Sequence, residues 1–291
     1  MTNPAIATIY GIVGSALFNI SKGMQRQGID AVASLFPGKR GRPEGKRRPR
    51  SAKHVALYAT GFVLNNSLGF FAILANRYAP SSYFTSMFGL GIIALMLYAR
   101  FVLKEPLHPF QYAGAVVLAL GTLILGYDGI VREKMTMARI HLPTAGIVIG
   151  ASLLLGMVIL ICAHRTRSLL VLGAVFGLVI GFVASLDPIL KGIGQNFGQG
   201  ERFLPSRSLG WIIFLASFIF ATLSFIASQW IFSRGVRASV LVPSQNFAYI
   251  VFPIVLQAIS LPGFNVSGLT ASGLIITSLG IFVMQAKIQR G

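Results

Sequence analysis

The stretch Gly173–Gly194, GAVFGLVIGFVASLDPILKGIG, combines a face of small residues with the only acidic side chain deep inside an apolar run. Gly173, Gly177 and Gly181 recur every four residues, so on a helix they form one smooth face. A neighbouring helix backbone can approach such a face closely, as helices do in lipid. The stretch therefore predicts a closely packed membrane helix that carries Asp187.

Asp187 is the residue of this stretch whose role needs explaining. Pro188 follows it and should kink or end the helix, and Lys191 lies one helical turn further on. A lone carboxylate near the middle of a membrane is costly, so it is either paired or functional. Two interpretations are left open: an ion pair at a kinked helix end, and a binding site in a membrane pathway.

Composition points to the same class of protein. Hydrophobic residues make up 54% of the 291 residues and charged residues 11%, and the mean hydropathy is +0.73. This excludes an ordinary soluble globular domain. The single cysteine, Cys162, excludes a disulfide framework or a thiolate metal cage. The net charge is +18, and the basic residues that produce it lie between apolar runs, as they do in loops beside a membrane. No nucleic-acid partner is therefore expected.

Nine apolar spans of roughly 18–23 residues follow one another, each long enough at ~1.5 Å per residue to cross a ~30 Å hydrocarbon layer. The sequence therefore predicts an all-α polytopic membrane protein with about nine transmembrane helices and membrane lipid as a partner. The predicted spans are Pro4–Ser21, Val55–Asn76, Ser81–Leu103, Phe110–Tyr127, Pro143–Ala163, Leu169–Leu190, Gly210–Phe232, Ala238–Ser260 and Gly268–Ala286.

The distribution of basic residues predicts the orientation. Of the 25 Lys and Arg residues, 18 fall on one side of the nine spans and 7 on the other. By the positive-inside rule the amino terminus lies outside and the carboxyl terminus in the cytoplasm, in the plasma or inner membrane. The cytoplasmic loop Gly23–Lys53 is expected to be disordered, and it either attracts anionic lipid headgroups or only determines topology.

A faint internal repeat divides the chain. The first and sixth spans both close on Ile-x-Lys-Gly, at Lys22 and Lys191, and the fourth and ninth spans carry glycine pairs with the same spacing. Spans one to four thus match six to nine in order but with opposite orientation, which is the inverted-repeat architecture of many secondary transporters. The predicted units are a first repeat at 1–127, a connecting helix and loops at 128–168 and a second repeat at 169–291.

Short motifs resemble a known family. Ala79-Pro80, Thr85, Leu103-Lys104-Glu105, Gly114 and Gly121 look like the last helices of a repeat in the drug/metabolite transporter superfamily. The nine spans, with a first span that closes on lysine, are most similar to the NIPA-type magnesium transporter and EamA-like branch. The resemblance implies a secondary transporter that moves a small solute, such as Mg²⁺ or another divalent cation, by alternating access.

One departure from that branch bears on the substrate. The magnesium transporters carry a Gly-Glu pair in the second span, where this chain has Leu68-Gly69. Mg²⁺ is usually held by carboxylates with retained water, and the missing glutamate weakens that assignment. An exporter of a small polar metabolite is the first alternative, and a structural or regulatory membrane protein that transports nothing is the second.

Uncharged amides are the main groups left to line a pathway. Side-chain amides can bind polar solutes, but they can equally hydrogen-bond one helix to another, which we expect for Gln229. Lys22 is expected to extend to the cytoplasmic interface. The candidate substrate-binding residues are Asn19, Asn65, Asn66, Asp187, Gln245 and Asn246.

No enzymatic motif accompanies these residues. The sequence lacks HExxH, GxSxG and phosphate-binding patterns, and Asp128, Glu133 and His141 are the only acid and histidine group near one interface. We therefore expect no enzyme, no cofactor and no ATP coupling. The expected partner besides lipid is a small molecule or an ion, and homodimerisation is left open.

Overall fold

A computed structural model describes residues 3–33, 52–132, 135, 137–166, 168–197 and 203–285. These residues form helices joined by short turns and contain no strand, because the apolar runs satisfy their backbone groups within each segment. The ten helices are α1 Pro4–Ala33, α2 Ala52–Asn76, α3 Ser81–Thr85, α4 Gly91–Phe101, α5 Pro109–Val131, α6 Leu142–His164, α7 Leu169–Asn196, α8 Ser208–Ser233, α9 Ala238–Ser260 and α10 Gly268–Gln285.

The helices have the length and apolarity of membrane spans. Eight spans in the described residues are long and apolar enough to cross a bilayer, and α3 and α4 count together as the span Ser81–Phe101. A ninth apolar helix, Gly268–Met284, is shorter. Large apolar side chains such as Ile147, Leu154 and Ile161 on α6 are exposed, as lipid-facing residues are. The chain is an all-α polytopic integral membrane protein.

Helices α1 and α7 extend furthest beyond their predicted ends. Helix α1 continues past Ser21 to Ala33, so the first part of the expected polar loop is helical. Its polar residues face other helices instead of water: Gln25 donates to the carbonyl of Gly61 at 3.0 Å. Residues 34–51 of that loop lie outside the described residues, and so does the prediction that they are disordered. Helix α7 likewise does not end at Pro188 but runs on to Asn196.

The two halves pack in matching ways. Helix α1 packs against α2 and the α3–α4 span, and α7 packs against the corresponding helices α8 and α9. Helix α5 packs against α10, where a Cβ added at Gly121 would lie 2.9 Å from the carbonyl of Gly273. One added at Gly280 would lie 2.8 Å from the carbonyl of Gly114. The first glycine of each helix therefore meets the second glycine of the other helix. This antiparallel, self-complementary contact is the one that a two-fold relation between two halves produces.

The glycine face of α7 packs against α9. A Cβ added at Gly177 would lie 2.6 Å from the carbonyl of Leu241, and one at Gly173 would lie 3.1 Å from a methyl group of Val240. The third glycine, Gly181, faces the backbone of Gln245. Only glycine allows this approach of the two backbones, so the predicted close helix contact is confirmed.

Candidate functional site

A cavity of about 200 Å³ lies among α1, α2, α7 and α8, with one side chain contributed by α9. Phenylalanine side chains form much of its wall, and the polar part brings together groups from five helices. The polar lining residues include Lys22, Asn65, Asn66, Asp187, Lys191 and Tyr249.

Asp187 and Lys191 form a buried ion pair in this wall. The Lys191 ammonium donates to the carboxylate of Asp187, one turn away on α7, and about 1% of Lys191 is exposed. The ammonium also lies 4.1 Å from the ring centroid of Phe218, and the hydroxyl of Ser217 lies beside the carboxylate. The predicted ion pair is confirmed, and it faces a cavity instead of ending the helix.

Lys22 lies in the same wall, so the prediction that it extends to the membrane interface is wrong. It is about 1% exposed, and its ammonium donates to the hydroxyl of Ser228 at 3.4 Å. The ammonium also lies 4.9 Å from the ring centroid of Phe18. The physical reason is the extension of α1, which places Lys22 inside the bundle. Among the described residues, no carboxylate forms an ion pair with it.

Two of the predicted amides line the cavity. Asn65 is partly buried, and its side-chain oxygen has no partner among the described residues. Asn66 is more exposed and donates to the carbonyl of Phe62 at 2.8 Å. Tyr249, which the sequence did not single out, is about 1% exposed, and its hydroxyl has no partner in the described part of the chain.

The other predicted amides are buried between helices around the cavity without lining it. Asn246 donates to the side-chain oxygen of Asn19 at 2.8 Å and to the carbonyl of Phe88 at 3.1 Å, which ties α9 to α1. Asn19 in turn donates to the carbonyl of Ser15 at 2.8 Å. Gln245 is buried where α9 meets α7, beside Gly181. Of the six predicted residues, the cavity therefore unites Asn65, Asn66 and Asp187 and leaves out the other three.

A polar cluster ties α1 to α8 at the end of the bundle where α1 finishes and α2 begins. Gln229 donates to Gln25 at 2.7 Å and accepts from the hydroxyl of Tyr58 at 3.1 Å. The rings of Phe62 and Phe225 meet edge to face beside it, with centroids 5.2 Å apart. The prediction that Gln229 serves helix packing is confirmed.

A second polar cluster ties α2 to α7 at the opposite end, where both helices finish. Asn76 donates to the carbonyl of Pro188 at 2.8 Å, and Gln195 donates to the carbonyl of Ile73 at 3.0 Å. Asn196 donates to the carbonyl of Asn76 at 3.4 Å. The cavity thus lies between two polar ties, each joining a helix of one half to a helix of the other.

Asp128 and His141 make contacts away from this cavity, and Glu133 lies outside the described residues. Asp128 accepts hydrogen bonds from Ser267 at 2.6 Å and from Thr270 at 2.7 Å, and it pairs with Arg132 at 2.6 Å. It therefore anchors the start of α10. The Nδ1 atom of His141 is engaged with Thr144 at 2.7 Å. Within the described ranges, no group of three or more His, Cys, Asp or Glu side chains could hold a metal ion.

Comparisons with protein-family models, with curated proteins and with solved structures found no significant match.

The burial of Lys22 in the cavity wall could have been predicted from the sequence. The shared Ile-x-Lys-Gly ending gives Lys22 and Lys191 equivalent positions in the two repeats. Equivalent positions of inverted repeats approach the interface between the halves together, so one buried lysine there indicates the other. No comparable signal marked Tyr249.

Proposed function

We propose that the chain is a secondary carrier of the drug/metabolite transporter type, which moves a small polar solute across the membrane by alternating access. The observation that carries this proposal is the cavity between the two halves, whose wall contains the equivalent lysines of both repeats, Lys22 and Lys191. In carriers built from inverted repeats, the substrate site lies at this interface.

The two polar ties support alternating access. One joins α1 to α8 through Gln25 and Gln229, and the other joins α7 to α2 through Gln195 and Asn76. Each tie consists of a few hydrogen bonds at one end of the cavity. Releasing one tie while keeping the other opens the cavity to one side of the membrane at a time, as rocking of the two halves requires.

The wall favours a polar metabolite over Mg²⁺. Its one carboxylate, Asp187, is already bonded to Lys191, and a second ammonium, Lys22, faces the same space. Two cations beside one anion repel a divalent cation, which needs carboxylate or carbonyl oxygens. The cavity of about 200 Å³ is small beside the roughly 300–1,000 Å³ typical of sites for drug-sized ligands, which fits a small metabolite.

The carrier lies in the plasma or inner membrane with its amino terminus outside and its carboxyl terminus in the cytoplasm. Lys22 and Lys191 both belong to the interior of the bundle, so each side of the membrane loses one basic residue from its loops. The excess of loop Lys and Arg on the cytoplasmic side is unchanged, and the positive-inside argument is retained.

A cross-link across one end of the cavity tests the proposal. Phe62→Cys and Phe225→Cys are introduced together with Cys162→Ser, which removes the single native cysteine. Solute flux into proteoliposomes should stop when a short bis-methanethiosulfonate joins the two cysteines and return on reduction, whereas the same treatment should leave each single cysteine variant at its own untreated flux. Flux that continues in the fully cross-linked protein would contradict a pathway through this cavity.

A further inference from the structure

We propose that Lys22 binds the anionic oxygen group of the cargo, a carboxylate or a phosphate, so that the transported solute is a small organic anion. This inference rests on the proposed carrier function, because it names the class of solute that the cavity accepts.

The repeats differ at one position that decides the charge of the cavity. When the two Ile-x-Lys-Gly sequences are matched, Asp187 of the second repeat corresponds to Phe18 of the first. Lys191 therefore has a carboxylate one turn before it, whereas Lys22 has an aromatic ring at the same position. Among the described residues, a carboxylate compensates the charge of Lys191, and none pairs with Lys22.

An uncompensated ammonium inside a membrane protein is costly, since burial removes its hydration without supplying an opposite charge. The contacts that Lys22 makes are weak compensation: a hydrogen bond of 3.4 Å to Ser228 and the faces of Phe18 and Phe225 at 4.9 and 5.8 Å. Such a residue in the wall of a cavity indicates a binding function. The ligand that compensates the charge of Lys22 is an anion.

The neighbouring polar groups suit an anion with oxygen acceptors. The hydroxyl of Tyr249 is buried in the same wall and has no partner among the described residues, so it is available to donate. The amide nitrogen of Asn65 offers further donors. An ammonium and a hydroxyl that converge on one cavity form charge-assisted hydrogen bonds with a carboxylate or a phosphate.

Binding is tested on the purified full chain in detergent by thermal unfolding, followed through the fluorescence of Trp211 and Trp230. The probes are succinate and glycerol 3-phosphate, each compared with an uncharged compound of the same skeleton, succinamide and glycerol. Chloride and putrescine serve as an inorganic anion and an organic cation. We expect succinate or glycerol 3-phosphate to raise the Tm with saturation and the uncharged compounds, chloride and putrescine to leave it unchanged. The responses to succinate and to glycerol 3-phosphate distinguish a carboxylate from a phosphate ester.

Substitutions of Lys22 test whether the anion raises the Tm by binding to this side chain. Lys22→Met and Lys22→Gln should abolish the shift caused by the anion, while Lys22→Arg should retain it. Arg26→Gln, which removes a basic residue one turn further along α1 that hydrogen-bonds Val236, is the matched control and should keep the shift. Lys22→Met should also unfold at the same or a higher temperature than the wild type without ligand, because it removes a buried uncompensated charge. A lower Tm would indicate that Lys22 is structural.

The outcomes separate this inference from the carrier function. Saturable flux of the uncharged or cationic probes in proteoliposomes, without any anion-induced shift, would refute the anion site and leave the carrier standing. An anion-induced shift that Lys22→Met abolishes, in a protein that moves none of the probes, would support the site and refute transport. A shift that persists in both Lys22→Met and Lys22→Gln, or no shift with either organic anion, would overturn the inference.

Discussion

Lys22 on α1 and Lys191 on α7 occupy equivalent positions of two repeats and lie in the wall of one cavity, each about 1% exposed. Only Lys191 has a carboxylate partner among the described residues. In the proposed inverted repeat, residues far apart in the sequence meet in one cavity wall, and the pairing of Asp187 with Phe18 makes that wall asymmetric.

Removing the carboxylate of this pair should destabilise the protein strongly. Asp187→Asn leaves the Lys191 ammonium buried without its partner, which costs about 3–5 kcal/mol. The double variant Asp187→Asn, Lys191→Met should recover most of that loss, because neither charge is then left alone. Thermal unfolding in detergent measures the differences. A double variant no more stable than Asp187→Asn would show that the pair is not energetically coupled.

The glycine contact between α7 and α9 should be intolerant of any side chain. Gly181→Ala places a methyl group against the backbone of Gln245, and such overpacking costs about 1–3 kcal/mol. Gly150→Ala on α6 is the control, since nothing lies within 4 Å of its added Cβ, and it should be neutral or stabilise by up to about 1 kcal/mol. Equal effects of the two changes on thermal unfolding would argue against the close α7–α9 contact.

The amides should separate into two functional groups. Asn65→Ala should raise the KM for transport while changing stability by no more than about 0.5 kcal/mol, because Asn65 lines the cavity. Asn246→Ala should lower stability instead, since it breaks the bond to Asn19. A double-mutant cycle between Asn19 and Asn246 should give a coupling of about 0.6 kcal/mol, and at most about 1.7 kcal/mol. A normal KM for Asn65→Ala would remove that residue from the binding site.

The carboxylate of Asp128 should contribute to stability by fixing the start of α10. Asp128→Asn loses the charge that pairs with Arg132 and weakens the bonds from Ser267 and Thr270, at a cost of about 1–3 kcal/mol. Ser272→Ala, an exposed hydroxyl on the same helix, should stay within about 0.5 kcal/mol of the wild type. Both are compared by thermal unfolding, and an unchanged midpoint for Asp128→Asn would disprove the anchoring role.

Helix positions were predictable because each span is apolar over the length that a bilayer requires, and α9 begins and ends at the predicted residues Ala238 and Ser260. The end of α1 was not predictable in the same way. Lys22 and Gln25 are polar, and in a single sequence a polar residue facing another helix looks the same as one facing water. The extension of α1 to Ala33 depends on partners contributed by α2 and α8.

The site was predictable in part for the same reason. Asp187 and the adjacent amides Asn65 and Asn66 were singled out because polar groups in apolar spans are costly, and all three line the cavity. Asn19 and Asn246 carried the same signal but bond to each other. Sequence alone does not distinguish an amide that bonds a neighbouring helix from one that faces a cavity, because both need the same side chain.

The most direct test is the flux of labelled succinate and glycerol 3-phosphate into proteoliposomes that contain the wild type or Lys22→Gln. We expect saturable uptake of at least one of these anions by the wild type, at least a tenfold loss in Lys22→Gln and recovery in Lys22→Arg. The loss corresponds to about 1.4 kcal/mol or more of binding free energy. Uptake no faster than in protein-free liposomes, or uptake that Lys22→Gln leaves unchanged, would contradict this expectation.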